Sequence, residues 1–220
     1  MRVLFPRVLL IGGAAIALSG CQFFHGIFGG GGPHEVSRKP DAVQDWRDVA
    51  AEADRNRVRD LRPAWIKALA QARDSGHGAD IAALGPLADP DIALDGMPPP
   101  GHYRCRTVKL GAQSPGMLDY IAYPPFDCVI APDKGGVLTF EKTSGSQRQN
   151  GRLWPDGARR MVFLGTLALG DEAGAIAYGM DSQRNVAGVL ERVGPTRWRL
   201  ALPWPRWESH LDLIELVPRP

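Results

Sequence analysis

The side chains able to do acid–base or metal chemistry are scattered along this chain. His25, His34, His77, His102 and His210 share no element at metal-ligand spacing, with neither a second histidine nor a carboxylate in step. No Gly-x-Ser-x-Gly nucleophile elbow is present. The glycine run at 29–32 is followed by no Gly-Lys-Ser/Thr, so it is not a phosphate-cradling loop. A reaction would have to draw its acid–base groups from Asp127, Glu141, Glu191 or Glu208. The expectation is a non-catalytic protein with no cofactor and no metal.

Three clusters are better suited to binding. Lys142-Thr143-Ser144-Gly145-Ser146-Gln147-Arg148-Gln149-Asn150-Gly151 is a dense polar hairpin. Lys142, Gln147 and Arg148 there suit an anion or a polar partner, with a solvated turn as the plainer alternative. Glu191-Arg192 lies one turn away from Arg197-Trp198-Arg199. Opposite charges on adjacent strands pair for ~0.2–1 kcal/mol; the alternative is that Arg192 or Arg199 lines a pocket. Trp198, Trp204 between Pro203 and Pro205, and Trp207 before Glu208 form the third cluster. These tryptophans suit a plug in a barrel mouth, a ligand platform or a protein contact.

The cysteines say where such a protein works. Leu18-Ser19-Gly20-Cys21 closes an apolar stretch, Val8–Leu18, that follows the positive charges of Arg2 and Arg7. The stretch is shorter than the ~20 apolar residues of a spanning helix. The arrangement resembles a bacterial lipobox. That implies a lipoprotein signal peptide at 1–20, removed ahead of Cys21, and lipidation of Cys21 with palmitate-type chains. A single chain anchors only marginally, at ~0.8 kcal/mol per buried methylene; the three chains the resemblance implies anchor firmly. Gln22 rather than Asp follows the cysteine, which favours the outer membrane over the inner. The expected setting is the bacterial cell envelope, facing the periplasm, with the membrane as first partner through the N-terminal lipid.

Cys105 and Cys128 remain as an even pair. An oxidising compartment makes a disulfide between them the default. It closes a loop of roughly 23 residues, worth ~3 kcal/mol on the chain-entropy model. The chain holds 26 Lys and Arg against 24 Asp and Glu, and removal of Arg2 and Arg7 with the signal leaves a formally neutral protein. That leaves no basic excess to grip phosphates, which argues against nucleic acid as a partner. About 180 residues follow the tether, a single-domain length.

Residues 21–40 read as a lipidated, flexible tether, with a glycine run and Pro33 and Pro40. Residues 41–100 read as a helical region. Trp46, Val49, Ala50, Ala53, Arg57, Leu61, Trp65 and Leu69 recur at three-four spacing, so one stripe faces a core. Asp41 suits a cap, Pro63 a helix start, and Gly76-His77-Gly78 a break before a short helix at 79–84. Residues 101–220 change period. Short apolar runs begin at His102, Tyr120, Gly136, Gln147, Arg160, Ala173, Val186, Trp198 and Leu211, separated by Gly-, Pro- and Asp-rich turns. Eight or nine such strands predict an antiparallel meander closed into a barrel. Pro124 and Pro125 inside the second run predict a bent or edge strand. The fold expected is α+β: a short N-terminal helical region followed by an eight- or nine-stranded antiparallel β-barrel, stapled by one disulfide and forming one folded unit over 41–220.

Tyr103-Arg104-Cys105-Arg106, Phe126-Asp127-Cys128, Lys142–Arg148, Phe163-Leu164-Gly165, Trp198-Arg199-Leu200 and Glu208-Ser209 resemble an uncharacterised bacterial domain-of-unknown-function family, number 4893, across about residues 41–218. The resemblance implies an envelope setting and carries no activity, cofactor or catalytic residue. Strand count and cysteine placement bear a looser likeness to lipocalin-like envelope barrels, some of them protease inhibitors. Two functions follow as expectations. One is a barrel whose mouth holds a small apolar or amphipathic ligand near Trp198, Arg199, Trp204 and Trp207. The other is a protein-interaction module, an inhibitor or assembly accessory for another envelope protein.

Overall fold

The computed structural model describes residues 44–220. The expected signal peptide at 1–20, lipidation at Cys21, tether at 21–40 and cap at Asp41 all fall outside the described residues. Four helices come first: α1 (Trp46–Val49), α2 (Glu52–Arg59), α3 (Leu61–Ala72) and α4 (Gly78–Leu84). Nine strands follow: β1 (Gly101–Ala112), β2 (Tyr120–Ala122), β3 (Phe126–Pro132), β4 (Leu138–Lys142), β5 (Gln147–Pro155), β6 (Arg160–Leu169), β7 (Asn185–Gly194), β8 (Arg197–Pro203) and β9 (Ser209–Pro218).

All strand pairs are antiparallel, and β9 returns to pair with β1. Eight strands therefore close a barrel in chain order, and β2 is an extra strand on β1. Closure leaves the barrel proper without open edges. Tyr123-Pro124-Pro125 splits the second apolar run into β2 and β3. Proline has no N–H for a ladder, so the chain leaves β1 and rejoins it, with Cys105 opposite Phe126.

Alternation along each strand sorts the two faces. The inward set runs from Tyr103, Cys105 and Cys128 through Phe140, Leu153, Met161 and Phe163 to Leu190, Trp198, Leu200, Ile214 and Leu216. Cys105 and Cys128 are bonded within this set, with Cα atoms 6.0 Å apart, joining β1 to β3. Phe140 and Phe163 meet edge to face at 5.8 Å. Gly151 and Gly165 lie opposite each other beside those rings, where a Cβ on Gly165 would come within 2.5 Å of the Phe163 ring.

The outward face of β1, β8 and β9 is apolar as well, because the helices cover it. Trp65, Ala68, Leu69 and Ala72 of α3, with Ile81, Leu84 and Leu87, pack on Val108, Leu110, Ala201, Leu211 and Leu213. Each large side chain so buried contributes ~1.5–3 kcal/mol. Pro63 sits in the first turn of α3, where proline is tolerated. Gly76 takes a positive φ of 92° between α3 and α4, as expected of the Gly-His-Gly break.

Two local expectations need correction. In α2 Ala53 is exposed, and the face turned inward carries Asp54 and Val58. The helix is held by a carboxylate rather than by its apolar stripe. Asp54 is wholly buried and accepts from Tyr178 Oη at 2.5 Å, from Asn185 Nδ2 at 3.3 Å and from Arg57. The run at 173–178 is a loop between β6 and β7, not a strand. Its alanines and Gly174 offer no alternating bulk, Thr166 Oγ1 donates to the Ile176 carbonyl, and Tyr178 is taken by Asp54.

Candidate functional site

Side chains fill the barrel at one end and leave the other partly open. At the filled end, Trp198 Nε1 donates to the Gly96 carbonyl at 3.3 Å and Tyr103 stands edge-on to Trp198 at 6.3 Å. Arg192 clamps the crossing segment by donating to the carbonyls of Asp95, Gly194 and Pro195, its guanidinium 5.9 Å from the Trp198 ring.

At the open end the inward positions turn polar. Counted in twos from Cys105 on β1 they are Thr107 and Lys109; from Leu216 back along β9 they reach Asp212. Lys109 and Asp212 are register partners, and Lys109 Nζ lies 3.0 Å from Asp212 Oδ2 and 2.9 Å from Glu208 Oε2. Burial alone would lower the Lys109 pKa, but the Asp212 charge and the bonds to both carboxylates hold it above the ordinary lysine value. Burial likewise opposes ionisation of Glu208, yet the bond and charge of Lys109 and the Gln147 amide keep its pKa below the usual range.

Lys142 ends β4 and points into the same space, only 4% exposed. Its Nζ donates to the Gln147 carbonyl at 2.7 Å and sits 3.7 Å from the centroid of Phe126. Among the described residues no carboxylate lies within ion-pair distance of it. Burial, with the positive charges of Lys109 and Arg148, pushes its pKa down to about 8.

These groups wall a cavity of about 150 Å³ lined by Thr107, Lys109, Tyr123, Phe126, Lys142, Ser146, Gln147, Gln149 and Glu208. A narrower hollow continues past Lys109, Gln147 and Gln149 toward Leu202, Trp207 and Asp212. Gln149 is buried, and its Oε1 has no hydrogen-bond partner among the described residues. Larger grooves on the outer surface, such as one between Arg62, Ile66 and Arg73, gather no comparable set of buried polar groups.

The segment from Pro203 to Glu208 roofs this end. Glu208 has φ 76° and Trp204 φ 47°, left-handed values that cost a non-glycine residue ~1–3 kcal/mol and need support from around them. Trp204 supplies part of it: its indole donates to the Asp60 carbonyl at 3.2 Å and its ring meets His210 at 5.4 Å. Gln113 Nε2 donates to the Pro205 carbonyl at 2.6 Å.

Of the residues singled out by sequence, Lys142, Gln147, Trp207 and Glu208 reach the open end. Arg148 turns outward and donates to the carbonyls of Gly145, Gly170 and Glu172. Arg199 lies outside the barrel wall, beneath the helices. It is wholly buried, donates to the carbonyls of Pro86, Leu87, Asp89 and Ile92, pairs with Glu191 at 2.5 Å and stacks on Trp65. Trp198 and Arg192 belong to the filled end, and Trp204 ties the roof to the helices. The three tryptophans thus line no common pocket. Asp127, Glu141 and Glu191 point to three different surroundings, away from Glu208: Asp127 pairs with Arg219, Glu141 is exposed, and Glu191 holds Arg199. Among the described residues no three His, Cys, Asp or Glu side chains are grouped to hold a metal ion.

Sequence reasoning missed Lys109, Gln149 and Asp212 as site residues. The signal for them was the alternation itself, since each falls on an inward position where an apolar residue would be the default.

No curated protein and no solved structure matches the chain, so the lipocalin likeness rests on strand count and cysteine placement only. A family model does match, over residues 46–216, which takes in the helices, the disulfide and nearly all of the barrel. The chain belongs to that family, described as Domain of unknown function (DUF4893).

Proposed function

We propose that this protein is a non-catalytic envelope lipoprotein whose barrel holds a small ligand at its open end. One observation carries the reading. A barrel otherwise packed with side chains is left hollow where Lys109, Lys142, Gln147, Gln149 and Glu208 converge. Buried ionic and amide groups are costly to keep around an unfilled space unless something satisfies them. A cavity of about 150 Å³ has room for a molecule about the size of one six-membered ring, as an engineered cavity of that size does. Of the apolar or amphipathic guests expected, this end suits a small amphipathic one, and it lies away from Trp198 and Arg199. The tether reading rests on Leu18-Ser19-Gly20-Cys21, with Cys21 carrying the lipid and the domain facing the periplasm.

A protein-interaction role is the second reading, favoured by Ile66, which is 61% exposed beside the groove on the outer helical face. Native mass spectrometry of the protein extracted gently from its own membrane separates the two. The binding reading expects the mass of the chain from Cys21 onward, plus acyl chains, plus one small molecule. A second protein in the complex would favour the interaction reading, and the bare acylated mass would overturn the ligand reading. A chain mass without acyl groups would overturn the anchor.

A further inference from the structure

We propose that the barrel site recognises a small carboxylate carrying a second, hydrogen-bond-donating group one or two bonds away, as an α-amino or α-hydroxy acid does. The inference deepens the binding reading above and rests on it.

The polar groups of the cavity are unevenly matched. Lys109 is already shared by two carboxylates, Asp212 and Glu208. Among the described residues Lys142 has a carbonyl and an aromatic face but no counter-charge. A buried cation with a vacant side toward a cavity is a site for an anion, and a carboxylate would give it the charge-assisted bond it lacks. A bare anion, however, would also face Glu208, a wall of the same cavity whose carboxylate is ionised. Gln147 stands between the two, its carbonyl on Lys142 and its side-chain amide 3.4 Å from Glu208. The cavity therefore has a positive end at Lys142 and a hydrogen-bond-accepting end at Glu208, reinforced by the unpartnered Gln149 Oε1. A ligand with a carboxylate at one end and an ammonium or hydroxyl at the other matches both. Phe126 and Tyr123 leave an apolar wall for a short side chain.

Isosteric probes test this on the full-length protein by titration calorimetry. L-valine carries carboxylate and ammonium; 2-hydroxy-3-methylbutanoate carries carboxylate and hydroxyl. 3-Methylbutanoate lacks the donor, and isobutylamine lacks the carboxylate. The first two are expected to bind one per chain, and each truncated probe at least ten-fold more weakly. Lys142→Met is expected to erase the advantage of valine over isobutylamine, and Lys142→Arg to keep it. The arginine variant decides the matter if the methionine variant fails to fold.

Equal binding of valine and 3-methylbutanoate would overturn the proposal, as would a preference that survives Lys142→Met in a folded protein. If no probe binds while native mass spectrometry finds a retained small molecule, the ligand class is wrong and the container reading stands. If no probe binds and the acylated chain is bare, both fall.

Discussion

Lys109 on β1 and Lys142 on β4 line one hollow, yet among the described residues Lys109 holds two carboxylates and Lys142 holds none. Their pKa values move apart accordingly, Lys109 upward and Lys142 down to about 8. Two buried lysines in one cavity thus divide the work. One keeps the roof residue Glu208 in place, and the other is left with an open side.

That difference has a signature in stability. Burial and the neighbouring charges hold the Lys142 pKa down to about 8 in the folded protein, against about 10.5 in the unfolded chain. Between those values the unfolded chain binds more protons, so this residue makes stability rise with pH, by at most ~3 kcal/mol and less once solvent screening at the open side is counted. Tyr103, pushed by burial up to about 12, acts in the opposite sense between pH 10 and 12, so the comparison must be differential. Urea unfolding of wild type and Lys142→Met is expected to show the variant's relative advantage greatest below pH 8 and gone by pH 10.5. A difference independent of pH would mean that Lys142 is not held in an unpaired, dry site.

Asp54 is the second predicted weak point. Its removal leaves Tyr178, Asn185 and Arg57 around a buried gap. Asp54→Ala is expected to cost ~3–5 kcal/mol. Hydrogen exchange should rise in α2 and in the segment 176–185 before it rises in the barrel strands. Unchanged protection in both segments would contradict a latch at Asp54.

How far the fold was legible follows from this residue and its neighbours. Period-two runs after His102 announced the barrel, because each strand has one side facing a filled interior. The Cys105–Cys128 bond is legible because the lipobox reading would take Cys21 and leave an even pair. The three-four stripe failed in α2 because Asp54, buried only by virtue of partners more than 120 residues away, has no local signal. The site was half legible. The polar hairpin gave Lys142 and Gln147, but Arg148 one position on turns to the other face, as strand alternation requires. The cross-strand pair of Glu191 with Arg199 was legible, but the carbonyl cage around Arg199 comes from the chain at 86–92, which no pattern in strand β8 reveals.

Arg199 gives a third prediction. A lysine has too few donors, in the wrong geometry, to serve four carbonyls and Glu191 at once. Arg199→Lys is expected to lower stability by ~1–3 kcal/mol while leaving binding of L-valine at the barrel's open end unchanged. Loss of that binding with stability intact would instead make Arg199 part of the site.

The disulfide gives the fourth. Cys105→Ser is expected to cost ~2–5 kcal/mol in a thermal or denaturant melt. Thiol counting on protein from the envelope should find Cys105 and Cys128 both blocked; two free thiols there would refute the bond in the cell.

The central claim is that Lys142 is a buried cation waiting for an anion, and its own titration tests that most directly. Nuclear magnetic resonance of lysine-labelled protein, with the Lys142 signal assigned through Lys142→Arg, reads its midpoint with and without saturating L-valine. The account predicts a midpoint near 8 in the free protein and a move upward when the ligand's carboxylate arrives. A midpoint near 10.5 that valine does not move would contradict it.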